Sequence, residues 1–448
     1  MKIPVSEKLS ILAKMLGKNL YVVGGYVRNF LINGMVSKDV DLSSPTPENL
    51  VESAVKELGG KVLGTYPRTG TVLFALDGQK YEYTRFRKDG YSAGGIHTPE
   101  KVEFTDEILQ DALRRDFKCN AVYYDILNEE IVDPLDGVQD VKNKVLDTVK
   151  NPDEVFSHDG LRLLRLARFC GELGFAPTEK VISGASKNAS NIKDISKERI
   201  WCEIKSILQS DSKYPFSDKA GHYTGLKILD ETGVLDFIIS ELTKGRGMEQ
   251  RKDYHKYDVL THTLKCVLYA DESVRIPALL HDVGKPYQLE DTGKYHGHDL
   301  VGSKIAKSVL TRLKADKNTV ELTAKLTKYH MLDMDCKMGD SKVKNFILKN
   351  PDIFDRLLLL KQADYSACKD QLDECKTVTK WKNIYANMLK EKVPFSIKDL
   401  TINATDLIEM GFRGEEIGKA LNKLLEICQQ KPHLNERIWL LDRAKRLK

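Results

Sequence analysis

Apolar positions along the chain divide it into a first part of mixed texture and a longer helical part. Within residues 1–150, short β-branched or aromatic runs alternate with helical patterns, which predicts a sheet combined with helices. Those runs are residues 21–23, 71–76, 80–85 and 121–125. Ahead of them, Leu9, Leu12 and Leu16 recur at helical spacing and predict an amphipathic first helix.

Beyond Pro152, leucine-rich periodic segments predominate, separated by Gly, Pro or Asp. We therefore expect an α+β protein in which a mixed sheet with helices precedes all-α domains. The predicted divisions are residues 1–150, 151–245, 250–370 and 371–448. A linker is expected at residues 245–254, where the apolar periodicity lapses.

Composition and charge narrow the class of protein. A chain of 448 residues needs more than one hydrophobic core. The sequence contains no run of about 18 apolar residues, so a membrane-spanning protein is not expected. Eight cysteines without a CxxC pair predict reduced thiols in a cytoplasm. The net charge of +5 is mild, so evidence for a polyanionic partner must come from local arrangement.

The segment LYVVGGYVRNFLI predicts a strand, a tight turn and a helix. Gly24 and Gly25 let the backbone approach a ligand closely, and free amides at a helix N-terminus suit a triphosphate. Arg28, one turn into the helix, adds a cationic donor. On its own, the motif is explained equally well by a simple tight turn.

A pair of acidic residues follows in SKDVDLSS. Asp39 and Asp41 flank Val40, and residues two apart on a strand point to the same face, so their carboxylates converge and call for a cation. Hard oxygen ligands favour Mg²⁺, and two such ions would activate an attacking hydroxyl and stabilise a leaving pyrophosphate. The alternative is a solvated acidic loop. A third carboxylate is expected, with Glu82 and Asp116 both open.

The segment HDGLRLLRLARF predicts a helix with two faces. The apolar face holds Leu163, Leu166, Ala167 and Cys170, and the basic face holds Arg162, Arg165 and Arg168. Asp159 lies one turn before Arg162, so an acceptor and a donor stand side by side. This pair complements the amino donor and ring-nitrogen acceptor that cytosine and adenine share. Guanine and uracil present a carbonyl acceptor beside an N–H donor, so their polarity does not match the pair. An ordinary basic helix face with an Asp cap is the alternative.

Taken in order, these motifs resemble those of class II CCA-adding enzymes and bacterial poly(A) polymerases of the polymerase-β-like superfamily. GGYVRN with KDVDL is similar to GGxVRD and DxD, ALRRDFKCNA to RRDFTINA, and HDGLRLLRLARF to EDxxRxLRxxRF. The segment SKERIWCEIKSIL is similar to the neck and body signature. The resemblance implies a nucleotidyltransferase head that adds or repairs the 3′ CCA of tRNA from CTP and ATP with Mg²⁺.

Position by position, the resemblance implies a set of site residues. Asp39, Asp41 and Arg28 are the implied catalytic residues, the two aspartates holding the metal. The implied nucleotide contacts are Gly24, Gly25, Arg28, Arg115, Asp159, Arg162, Arg165 and Arg168.

The sequence departs from the family pattern at four positions: Asn29, Lys118, Cys119 and His158. None of these removes a metal ligand. The loop at residues 87–104 also lacks an arginine pair often found there, which puts its role in the final A addition in doubt. A partial CC- or A-adding enzyme or a poly(A) polymerase is therefore the alternative within this family.

A second cluster of motifs resembles an HD phosphohydrolase domain, with the order H…HD…H…H…D complete. Its members are His262, His281, Asp282, His298, His330 and Asp364. His262, His281, Asp282 and Asp364 could chelate one divalent metal (Ni²⁺, Mn²⁺ or Mg²⁺), and His298 with His330 a second. His296 suits this role less well. The resemblance implies phosphatase or 2′,3′-cyclic phosphodiesterase activity, either as an additional or as the main activity, or a scaffold for RNA.

From Pro394 onward, leucines alternate with Lys and Arg at helical spacing. Basic residues of this tail and of the helical body could contact phosphates of the tRNA acceptor arm, which favours recognition by shape. A solvated charged face explains them equally well. No obligate protein partner is predicted. A non-catalytic RNA-binding protein is a further alternative, and it would require that the carboxylates of Asp39 and Asp41 take no part in a reaction.

Overall fold

The computed structural model describes residues 2–17, 19–91, 95 and 99–447. These residues form two units, 1–248 with 308–319, and 249–307 with 320–448. The finer division into four domains stays a prediction.

The first unit contains the strands. They are β1 (Tyr21–Val23), β2 (Val40–Ser44), β3 (Lys61–Tyr66), β4 (Thr71–Leu76), β5 (Gln79–Arg85), β6 (Arg87–Gly90), β7 (Lys101–Phe104), β8 (Tyr123–Asp125), β9 (Glu130–Val132), β10 (Val145–Leu146) and β11 (Ala176–Pro177). Its helices are α1 (Glu7–Leu16), α2 (Gly25–Asn33), α3 (Glu48–Glu57), α4 (Ile108–Leu113), α5 (Gly137–Asn143), α6 (Pro152–His158), α7 (Leu161–Leu173), α8 (Glu179–Lys187), α9 (Lys197–Leu208), α10 (Ser210–Lys213), α11 (Gly221–Glu231), α12 (Val234–Ile238) and α13 (Ser240–Thr243).

The second unit is helical. Its helices are α14 (Val259–Tyr269), α15 (Arg275–Leu280), α16 (Lys285–Thr292), α19 (Asp340–Lys349), α20 (Phe354–Lys369), α21 (Lys376–Lys390), α22 (Ala404–Glu409), α23 (Glu415–Gln430) and α24 (Arg437–Lys445). Helices α17 (His298–Arg312) and α18 (Lys317–Tyr329) have residues in both units. Short 3₁₀ turns lie at Pro67–Thr69, Lys118–Asn120, Ala189–Asp194, Glu272–Val274, Ile397–Asp399 and Pro432–Leu434.

In the described part of the chain, seven strands form a mixed sheet in the order β3-β4-β5-β2-β1-β8-β9. β1 pairs antiparallel with β2 and places Val23 opposite Asp41, while β2 pairs parallel with β5 and places Asp41 opposite Glu82. Side chains alternate across a strand, so Val40 and Leu42 enter the core and Asp41 faces solvent. The core on this face also contains the first helix, which buries Leu9 and Leu12.

Glycines set the spacing of α7 and α11. A Cβ at Gly171 would lie 2.5 Å from the carbonyl oxygen of Gly221, and a Cβ at Gly225 would lie 3.0 Å from that of Ala167. Without side chains at these positions, the two backbones touch directly. The apolar residues of α7 predicted from the sequence are buried, so its arginines occupy the remaining faces.

In the second unit, α14 and α20 pack side by side and bury His262 and Asp364 respectively. The C-terminal helices form their own apolar cluster, which includes Leu407, Phe412 and Leu424.

The predicted fold class is confirmed, since a mixed sheet with helices is followed by a helical remainder. Two of the four predicted strands have the expected bounds, β1 and β4, and the other two differ by one or two residues at their start. Every helix among the described residues is too short or too polar to span a bilayer.

Candidate active site

The turn between β1 and α2 lies directly against the acidic residues. Gly24 has φ 77°, a left-handed conformation that favours glycine. A Cβ at this position would contact Asp41 Oδ2 at 3.5 Å and Arg115 Nη1 at 3.9 Å. The backbone of the turn, a carboxylate and a guanidinium therefore meet at one point.

Three carboxylates share the open face of the sheet. Asp39 directly precedes β2, Asp41 lies within it, and Glu82 stands opposite Asp41 on β5, and all three are exposed to solvent. The surrounding protein raises the pKa of Asp41, Arg115 opposes this, and Asp39 raises the pKa further. The surrounding protein also raises the pKa of Glu82 by displacing water from around its carboxylate, and Asp41 raises it further. Carboxylates that destabilise one another's charge are suited to a shared divalent cation.

Asp116, the other candidate for a third carboxylate, is already paired. Its Oδ2 accepts hydrogen bonds from Nε of Arg165 at 2.7 Å and Nη2 at 2.5 Å, and its Oδ1 accepts one from Asn120 Nδ2 at 3.1 Å. Burial would raise the pKa of Asp116, but Arg165 and Asn120 hold it well below its usual range. This carboxylate fixes the direction of Arg165.

The predicted nucleotide-contacting residues line one cleft of about 960 Å³. The cleft brings together Gly24, Gly25, Arg28, Asp39, Asp41, Arg115, Asp159, Arg162, Arg165 and Arg168. Ten positively charged side chains line the cleft that holds Asp39 and Asp41: these five arginines, with Arg87, Arg114, Arg199, Lys38 and Lys213. Such a cleft suits a polyanion carrying a metal ion.

Neighbouring amides and carboxylates hold the first arginines in place. Arg28 is buried and donates to Asn29 Oδ1 at 2.9 Å and to Asn120 Oδ1 at 2.5 Å. Asn29, a departure from the family motif, thereby remains an acceptor for Arg28. Arg115 donates to Asp111 Oδ2 at 3.1 Å and to Tyr123 Oη at 3.1 Å. Asn120 and Asp111 were not singled out in the sequence, although both lie in or next to the ALRRDFKCNA motif.

Asp159 and Arg162 are neighbours at the start of α7. Arg162 Nε lies 3.7 Å from Asp159 Oδ2, and both side chains are buried. Asp159 Oδ1 accepts the Leu161 amide at 2.9 Å, and Arg162 donates to the carbonyl of Arg114 at 2.7 Å. Backbone contacts therefore fix both members of the predicted base-reading pair.

Arg168, the last of the basic stripe, donates to Glu203 Oε2 at 2.7 Å and to Glu172 Oε1 at 3.2 Å. Its guanidinium also lies 4.4 Å from the ring centre of Phe169.

His158 packs against the loop that follows β6. Its ring stacks on Tyr91 with 5.2 Å between ring centres and 16° between planes. The Gly95 amide donates to the carbonyl of Ser157 at 2.9 Å, and the Gly160 amide donates to the carbonyl of Gly95 at 2.9 Å. Residues 92–94 and 96–98 of this loop lie outside the described residues, and the role of the loop in the final A addition stays a prediction.

The second unit gathers the six histidine and aspartate residues of the HD-like motifs. His262 Nε2 lies 3.0 Å from Asp364 Oδ1, and His281 Nε2 lies 3.2 Å from Asp282 Oδ2. On the other side, Asp282 Oδ1 is 3.1 Å from His298 Nε2 and 3.5 Å from that of His330. Asp282 thus stands between two groups of potential ligands, one with His262 and His281 and one with His298 and His330.

Hydrogen bonds fix the tautomers of three of these histidines. The Nδ1 atoms of His281, His298 and His330 lie 2.8, 2.8 and 2.6 Å from backbone carbonyl oxygens. A carbonyl only accepts, so each Nδ1 carries a hydrogen, and in the neutral imidazole each Nε2 then presents a lone pair to the cluster. Two such nitrogens, of His298 and His330, face each other at 3.2 Å. These donors fit divalent metals.

Lys285 joins this cluster and was missed in the sequence. Its Nζ donates to Asp282 Oδ2 at 2.6 Å. The signal was present in HDVGKP, because Lys285 follows Asp282 by only three residues. His296 lines a neighbouring groove with His298 and is outside both ligand groups.

An A-adding tRNA nucleotidyltransferase of Deinococcus radiodurans is 31% identical to this chain over 367 residues, which cover 78% of the chain and 76% of that protein. The chain belongs to the class II CCA-adding tRNA nucleotidyltransferase family. A second member, the multifunctional CCA protein of Hahella chejuensis, is 30% identical and covers 77% of the chain and 81% of its own length. Membership in this family confirms the resemblance stated from the motifs.

Three segments of this family member match described families. Residues 20–147 match the poly A polymerase head domain, residues 174–245 the probable RNA and SrmB-binding site of polymerase A, and residues 254–368 the HD domain. The crystal structure of the Bacillus stearothermophilus CCA-adding enzyme in complex with CTP has the same fold, with a TM-score of 0.66 and 21% identity. That likeness covers 98% of this chain and 97% of the other.

The pairing of Asp116 with Arg165 makes a prediction about stability. At neutral pH, Asp116→Asn leaves a partly buried guanidinium without its anion and lowers the free energy of unfolding by about 2 kcal/mol. Because the folded-state pKa of Asp116 is depressed, this stabilisation exists above the unfolded pKa of about 4 and is lost as the pH falls further. The difference in melting temperature between variant and wild type should therefore be larger at pH 7 than at pH 3.

The control is Asp147→Asn, which breaks an ion pair with Lys118 whose two side chains are each 28% exposed. It should cost less than about 1 kcal/mol. Equal losses in both variants at pH 7 would contradict the special role of the Asp116 pair.

Proposed function

We propose that this chain adds or repairs the 3′-terminal CCA of tRNA by transferring CMP and AMP from CTP and ATP to the RNA 3′-OH. The observation that carries the proposal is the convergence of Asp39, Asp41 and Glu82 on one face of the sheet, beside the Gly24 turn and the arginine-lined cleft. The named relatives support the substrate class, since they comprise an A-adding tRNA nucleotidyltransferase and a multifunctional CCA protein.

Asp39, Asp41 and Glu82 would hold the catalytic metal, for which Mg²⁺ is the proposed ion. When bound, Mg²⁺ supplies the charge that activates the 3′-OH and stabilises the departing pyrophosphate. The amides at the start of α2 and the guanidiniums of Arg28 and Arg115 would bind the triphosphate. Glu82 is proposed as the third carboxylate because Asp116 is committed to Arg165.

Asp159 and Arg162 would read the base. A carboxylate beside a guanidinium offers an acceptor next to a donor, which matches the edges of cytosine and adenine. Guanine and uracil would leave buried groups unpaired, at about 1–3 kcal/mol each. Because backbone contacts hold both side chains, the pair is preorganised before a nucleotide arrives.

All eight cysteines carry free thiols, which supports placing the reaction in the reducing cytoplasm.

An incorporation assay tests the proposal. Transfer RNA ending at the discriminator base should gain C from CTP alone and a complete CCA from CTP with ATP, while ATP alone should extend only RNA ending in CC. Extension restricted to CC-ended RNA would indicate an A-adding enzyme, and A addition to any end a poly(A) polymerase. Failure with every combination would overturn the proposed function.

Matched variants in the same assay locate the chemistry. Asp41→Asn should reduce the rate roughly a thousandfold, because several kcal/mol of metal-supported stabilisation are lost at about 1.4 kcal/mol per tenfold. Glu82→Gln should reduce it by roughly 10- to 100-fold. Glu57→Gln, an exposed change on α3, should leave the rate unaltered. A fully active Glu82→Gln variant would exclude Glu82 as a ligand.

Removing the base-reading pair should relax selectivity. Asp159→Ala with Arg162→Ala should incorporate UMP and GMP, and its preference for CTP over UTP should fall by roughly 5- to 150-fold. Both side chains also bond to the backbone, so a second variant that keeps the shape of the site is tested beside the double variant. Asp159→Asn is isosteric and adds an N–H donor that matches the carbonyl oxygen of uracil. If both variants still refuse UTP and GTP, the pair does not select the base.

We further propose a metal-dependent phosphohydrolase activity for the second unit, directed at 2′,3′-cyclic or 3′-phosphate RNA ends. The observation that favours it is the fixed tautomer of His281, His298 and His330, whose Nε2 atoms face Asp282. A cluster oriented in this way suits metal ions that bind a phosphate and activate water.

Phosphate release from such RNA ends, with Ni²⁺, Mn²⁺ or Mg²⁺ added singly, tests this activity. Wild type should turn over with at least one metal, and His281→Ala should abolish turnover because it removes a ligand. Asp41→Asn should retain the hydrolysis, which separates it from nucleotidyl transfer. No turnover with any of the three ions would refute the proposal.

A further inference from the structure

A third group of potential ligands lies beside the HD cluster. It consists of His255, His262 and Cys368, whose ligand atoms all lie within 4.8 Å of one another. Cys368 follows Asp364 by one turn of α20, and His255 precedes α14 by four residues. The Lys256 amide donates to the carbonyl of Cys368 at 2.9 Å and ties the two segments together.

The Nδ1 atoms of both histidines in this group lack the hydrogen-bond partners that structural histidines normally have. His262 is fully buried, yet its Nδ1 has no hydrogen-bond partner, and the buried Nδ1 of His255 has none either. The two rings meet edge to face with 4.8 Å between their centres. By contrast, the Nδ1 atoms of His281, His298 and His330 all bond to carbonyl oxygens. Buried polar atoms without partners are costly, and a ligand would remove that cost.

The thiol distinguishes this group chemically from the HD cluster. The two ligand groups around Asp282 contain only imidazole and carboxylate donors. A thiolate with two imidazoles is the donor set that Zn²⁺ prefers, with a fourth position left for water or another ligand. We propose that His255, His262 and Cys368 form a Zn²⁺ site separate from the two loci around Asp282.

Burial and then Asp364 raise the pKa of Cys368, so the free thiol is neutral. Binding of zinc must therefore release the thiol proton, and the Zn–S bond forms as the S–H bond breaks.

His262 belongs to both this site and the HD cluster, which gives the site a regulatory consequence. A neutral imidazole has one lone pair, so His262 would serve either zinc with His255 and Cys368 or the metal held by His281 and Asp282. Zinc would therefore inhibit phosphate release. This consequence rests on the proposed phosphohydrolase activity. The binding site itself does not, and its test needs no activity.

Cobalt provides the probe, because Co²⁺ replaces Zn²⁺ and a thiolate ligand gives a charge-transfer band in the near ultraviolet. The metal-free full-length protein is titrated with Co²⁺. Wild type should develop this band, and Zn²⁺ should abolish it. Cys368→Ser should lose the band. His255→Ala should bind Co²⁺ at least tenfold more weakly, as measured from the growth of the band during the titration.

Two other cysteines serve as controls. Cys336 lies outside the ligand groups and is replaced in Cys336→Ser. Cys266 neighbours His281 and is replaced in Cys266→Ala. Both should keep the band. Retained melting temperature and CMP incorporation show that the Cys368→Ser and His255→Ala variants are folded. Absence of the band in wild type, its persistence in Cys368→Ser, or its loss in Cys266→Ala would overturn the proposed site.

Discussion

The first unit depends on one electrostatic constraint: carboxylates placed side by side by strand pairing. The parallel register of β2 and β5 sets Asp41 beside Glu82, and Asp39 stands one residue before the strand. Backbone hydrogen bonds between β2 and β5 hold Asp41 beside Glu82, so the two charges stay close together. The Gly24 turn and Arg115 lie at the same point and supply the complementary positive field.

The sequence was most informative where chemistry depends on local spacing. Asp39 and Asp41 share a face because strands alternate with a period of two, and the arginines of α7 separate from its leucines because helices repeat every 3.6 residues. The choice between Glu82 and Asp116 could not be made this way. It depends on the register of two strands whose paired residues, Asp41 and Glu82, are 41 apart in sequence, and on which carboxylate Arg165 reaches.

The histidine cluster shows the same limit. The order of the motif residues indicated an HD-like centre, but nothing in that order indicates that Asp282 stands between two ligand groups. That position, and the tautomer of each ring, follow from carbonyl groups at Ala278, Tyr295 and Thr327. His255 and Cys368 are 113 residues apart in sequence and meet only because α14 and α20 pack together.

The contact between α7 and α11 bears on how this chain can change over time. Because Gly171 meets the carbonyl of Gly221 directly, the distance between the helices is set by main-chain atoms. Side chains elsewhere along these helices can then be exchanged without displacing Arg162, Arg165 or Arg168. The sequence of the surrounding body can therefore change while the geometry of the proposed base-reading residues is kept.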